Sequence, residues 1–113
     1  MNSGITNATI LEVHRVGDNL YVFYQNSLNN RCQISEWREQ DYNLIAEHIL
    51  LGGNLCKKIS FSEIYFSVEF ETEIWIYDVD LSSGLVVIDT LPLRSPIVDM
   101  KIGKEYLFYT TST

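Results

Sequence analysis

IWIYDVDLSSGLVVIDTL, residues 74–91, places two apolar runs on either side of a Ser82-Ser83-Gly84 turn. The runs are rich in β-branched and aromatic residues, which suit a pleated surface and predict two adjacent strands. Residues 74–77 are apolar without polar alternation, and in so short a strand that predicts cover on both faces. The same layout occurs 42 residues upstream: Asp78 falls on Glu36, Ile76 on Ile34, and Val86-Val87 on Leu44-Ile45. At an offset of 43, Ile102 falls on Ile59, and Ile59 on Val16. A period near forty built from short apolar runs predicts a repeat whose unit is one small antiparallel sheet.

Working outward, the chain divides into units at residues 10–53, 54–96 and 97–113, together one partial repeat region over residues 1–113. In the first unit, residues 10–16, 20–24 (LYVFY), 32–37 and 42–51 are candidate strands, separated by Gly17-Asp18-Asn19 and a polar loop at 25–30. Gly52-Gly53 closes the unit. The second unit runs through 55–61, 64–70, 74–79 and 85–91, and Pro92 to Pro96 breaks the pattern. The third begins with 97–102, turns at Gly103-Lys104 and continues at 106–111. One segment reads two ways. Residues 37–51 carry Leu44, Ile45, His48 and Ile49 at helical spacing before Gly52, whereas the repeat aligns them with the strand-like 85–91. Ile76, mid-strand with apolar neighbours, is expected to be fully buried.

From residue 74 onward the chain resembles the WD40-like β-propeller repeat. Tyr77-Asp78 stands where that family has Trp-Asp, Ser83-Gly84 where it has its turn, and residues 110–112 on its polar strand. The Gly-His dipeptide is absent, and the first unit has Glu36-Trp37 instead. The resemblance implies an all-β fold of antiparallel, blade-like sheets, about two and a half units, hence an incomplete propeller. It implies an interaction scaffold and assigns no active site. Closed propellers have about 4 to 8 blades, so the ring is expected to be completed by a protein partner or by the remainder of a longer chain.

Composition excludes several classes. With 113 residues, 46% of them hydrophobic, the chain can build a real core. A formal charge of −7 and eight scattered basic residues give no phosphate-binding surface, so no nucleic acid is expected. No apolar stretch approaches the roughly 20 residues that cross a bilayer, and residues 1–9 lack a secretory pattern. An intracellular protein, cytoplasmic or nuclear, is expected. The Asn7-Ala8-Thr9 triplet fits a glycosylation sequon, which matters only in a secreted chain.

Chemistry-bearing residues are sparse. Asp78, Asp80, Ser82 and Asp89 sit at positions 1, 3, 5 and 12 of a calcium-loop spacing, but Ser83 replaces the sixth-position glycine and no helices flank it. Glu69, Glu71 and Glu73 alternate at a turn and read as solvated. His14 and His48 have no linking motif, and Cys32 and Cys56 lack CxxC spacing, reading as small buried hydrophobes. No catalytic, metal or cofactor site is assigned. Trp37, Tyr106, Phe108 and Tyr109 are the candidate interaction residues. The leading expectation is a non-catalytic protein-interaction scaffold. Alternatives are a small independent all-β binding domain, or an enzyme using carboxylates such as Asp78 or Asp80 on a propeller face.

Overall fold

The computed structural model describes residues 7–52 and 55–111. Gly53, expected to close the first unit, Ser112, expected on the polar strand, and Thr113 lie outside the described residues. The fold is all-β, and among the described residues every regular element is a strand: β1 (Ala8–Val16), β2 (Asn19–Asn26), β3 (Arg31–Arg38), β4 (Asn43–Ile49), β5 (Ile59–Phe61), β6 (Tyr65–Glu69), β7 (Glu73–Asp78), β8 (Val87–Pro92), β9 (Ile97–Ile102) and β10 (Leu107–Thr111). The chain forms two compact units, Met1–Asn54 and Leu55–Thr113.

The first unit is one antiparallel sheet in the order β1-β2-β3-β4. Val16 pairs with Asn19 across a two-residue loop. Such a loop needs a positive φ, and Gly17 supplies it at +60°. The segment that reads as helix or strand is a strand: β4 pairs Ala46 with Glu36 and His48 with Ile34. Backbone pairing along the edge of β3 outweighs the helical spacing of its side chains. Cys32, Gln33, Ile34 and Ser35 are buried on successive positions, so β3 is covered on both faces.

In the second unit β5-β6-β7-β8 form a second antiparallel sheet, and β9 and β10 a two-stranded hairpin. Strand β6 is its doubly covered element, with Phe66, Ser67, Val68 and Glu69 all buried. One of its faces carries an aromatic row. Phe66 stacks on Tyr77 with ring centroids 4.9 Å apart, and Trp75 lies 6.1 Å from both Tyr77 and Phe70. Strand β9 lies against β5 and β6.

Polar side chains stitch β9 in place. Glu69 Oε2 accepts a hydrogen bond from the Ile97 amide at 2.9 Å, and Ser60 Oγ accepts one from the Ile102 amide at 3.0 Å. Ser67 Oγ donates to Met100 Sδ at 3.4 Å. Ile74, Ile97 and Met100 form the apolar core beneath, with Ile76, Leu91, Leu93 and Leu107 packed against it.

Two expectations are corrected. Glu69 is not a solvated turn residue: it is only 1% exposed, because β9 folds over it and presents the Ile97 amide to its carboxylate. Glu71 is exposed at the turn. Ile76 is half-buried, whereas Ile74 and Tyr77 are the buried residues of β7. Strand β9 lies over β5, β6 and Ile74 of β7, and Ile76 falls at the margin of that cover.

Candidate functional site

Strand β10 has a neighbouring strand on one edge only, β9, among the described residues. Its register pairs Leu107 with Ile102 and Tyr109 with Met100, which places these four side chains on the inner face. Phe108, opposite Lys101, points to the outer face. The alternation of period two thus turns Leu107 toward the core and Phe108 outward. Phe108 is 70% exposed, Tyr106 in the preceding turn 66% and Tyr109 43%. The rings of Tyr106 and Phe108 lie 6.2 Å apart. Three of the four expected interaction residues therefore cluster on one hairpin. Val98 on β9 adds exposed apolar surface.

Trp37 is elsewhere. It lies in the first unit, half-buried, and its Nε1 donates to Ser35 Oγ at 2.8 Å. That bond ties the indole to its own strand.

A groove adjoins the hairpin. Ile76 on β7, Ile88 and Asp89 on β8, and Lys104, Glu105, Tyr106 and Leu107 of the β9–β10 hairpin line a cavity of about 380 Å³. Lys104 Nζ reaches Glu63 Oε2 at 3.4 Å, so its charge is already engaged. Asp89 is exposed, its Oδ1 accepting from the Thr90 amide at 2.8 Å. The sequence pattern identifies β8 as an outer strand, but no signal in it reveals that Ile88 and Asp89 border a groove. The lining comes from elements spread along the chain from Tyr65 to Leu107.

The remaining chemistry-bearing residues serve the fold. Asp78 Oδ1 accepts from the Asp80 amide and Asp80 Oδ1 from the Ser82 amide, both at 2.9 Å. These are local turn bonds of the kind Asp side chains favour. The bonds from Ser82 hold the Asp80 carboxyl below the usual range. Gly84 takes the left-handed backbone, φ +89°, that ends this corner. His48 Nε2 lies 3.6 Å from Glu36 Oε1, and Asn19 donates to Glu36 Oε2 at 2.9 Å. Register places His14 opposite Tyr21 and Tyr21 opposite Glu36, so topology brings the two histidines to one face of the first sheet. Among the described residues no three His, Cys, Asp or Glu side chains are grouped to hold a metal ion. Cys32 and Cys56 are buried as expected, but they are disulfide-bonded, which the spacing did not favour and which leaves neither a nucleophilic thiol. Among the described residues no helix is long and apolar enough to cross a membrane.

The chain matches no family model, and no curated protein matches it.

Proposed function

We propose that this chain is a non-catalytic protein-interaction scaffold of WD40-like propeller-blade type, and that a partner strand adds to the β10 edge. The observation that carries this reading is the count of strands. Among the described residues two sheets have four antiparallel strands in chain order, and the third has two, with its outer strand apolar and exposed. An edge of this kind offers unsatisfied backbone N–H and C=O groups, and strand addition is a recurring way to satisfy them. Tyr106, Phe108 and Tyr109 supply the apolar area that makes such an addition favourable. Asp78 and Asp80, which the enzyme alternative would need, are engaged in turn bonds. The cytoplasmic or nuclear setting is retained in this proposal, and the redox state of Cys32 and Cys56 in the cell tests it, because disulfides are rare in reducing compartments.

The experiment is size-exclusion chromatography with light scattering on the chain alone. Self-association is expected, and Phe108→Lys, which places a charge on an already exposed position, should shift the chain toward monomer. A monomer with protease resistance through Thr111 would refute the edge reading and favour a small self-sufficient all-β domain.

A further inference from the structure

The groove beside the hairpin says what sort of strand the edge accepts. We infer that the β10 edge and its groove take an extended segment of a partner protein that alternates apolar residues and carries a lysine or arginine over Asp89. This rests on the interaction reading and names the chemistry of the partner.

Three observations converge. First, Ile76 and Ile88 form an apolar floor that the hairpin leaves partly open: Ile76 is half-buried, and Ile88 is 49% exposed. Leu107 of β10 packs against the same core that Ile76 and Leu91 border, so β10 is on the β7–β8 side of the hairpin. A strand added beyond β10 lies over that floor and covers it. Second, the groove has a built-in charge sign. Asp89 and Glu105 line it against one ammonium, Lys104, and Glu63 draws that ammonium away. A cationic side chain entering the groove meets an acidic wall, and the chain's formal charge of −7 reinforces the preference at long range. Third, β10 itself carries no charge, reading Leu-Phe-Tyr-Thr-Thr, so it neither repels nor attracts either sign. The charge discrimination therefore resides in the groove and the apolar recognition in the edge.

The test uses the full chain, diluted until light scattering finds it monomeric, and two short labelled peptides. Both alternate valine and threonine; one has lysine at the central position and the other glutamate. The lysine peptide is expected to bind on the order of 5-fold more tightly at low salt, with the ratio narrowing as salt screens the pair. Binding should slow hydrogen exchange of β10 amides, and Asp89→Lys should invert the preference without loss of fold, since Asp89 is exposed. Equal binding of both peptides, or a lysine preference that survives Asp89→Lys, overturns the assignment while leaving the edge reading intact. Binding of neither peptide overturns both. Self-association that Asp89→Lys abolishes as fully as Phe108→Lys assigns the groove to a second copy and overturns the proposal.

Discussion

Glu69 and Tyr77 are polar side chains buried for opposite reasons. Glu69 is held by a partner: its carboxylate accepts the Ile97 amide, a donor that β9 would otherwise bury without an acceptor. An unsatisfied buried donor costs about 1–3 kcal/mol. Glu69→Ala should accordingly lower stability by about 2 kcal/mol in urea titration, whereas exposed Glu71→Ala should stay within about 0.5 kcal/mol. Tyr77 has a stacked ring but a buried hydroxyl with no hydrogen-bond partner. Burial pushes its pKa well above the ordinary tyrosine value. Burial, and next the carboxylate of Glu47, also raise Tyr24. A raised folded pKa means that the folded chain holds these protons when the unfolded chain releases them. The stabilisation is therefore complete below pH about 10 and declines as pH rises toward the folded values. Urea midpoints should fall between pH 9 and 11, and less steeply in Tyr77→Phe. At neutral pH that substitution should be neutral or stabilising by up to about 1 kcal/mol, because it removes an unmet hydroxyl.

At the scale of elements, β7 shows how a continuous apolar run is sorted by what lies above it. Ile74 sits beneath β9 in the core, and Ile76, two residues on along the same face, borders the groove. Ile74→Ala should cost about 2–5 kcal/mol, as for a well-enclosed aliphatic side chain, and Ile76→Ala distinctly less, because solvent already reaches it. Equal losses from the two would mean that the β7–β8 side is covered. Strand β4 illustrates a different rule. Its 3.6-residue spacing was legible, yet the segment pairs along the edge of β3 as a strand, because that edge extends the sheet that the rest of the unit forms. Two of the strands buried on both faces, β3 and β6, contain Gln33, Ser35, Ser67 and Glu69. Polarity hides such strands from a search for apolar runs.

For the molecule as a whole, the unfilled hairpin and the disulfide make separate predictions. The exposed ring pair Tyr106–Phe108 on a one-sided strand predicts concentration-dependent association of the chain, reduced by Phe108→Lys. The bonded state of Cys32 and Cys56 predicts that the denatured chain shows no thiol titre until reductant is added. Strand content, the positions of the turns at Gly17, Gly84 and Gly103, and the 42-residue correspondence of β3 with β7 were all readable in the residues. They depend on local backbone preference and on side-chain period, which a linear string records. The exposed aromatics of the last hairpin were readable for the same reason, since alternation along β10 sends Phe108 outward. The burial of Glu69, the half-exposure of Ile76, the disulfide, and the groove joining Asp89 to Lys104 were decided only by tertiary structure. Each depends on which segment comes to lie over which face, and spacing along the chain carries no record of distance through space.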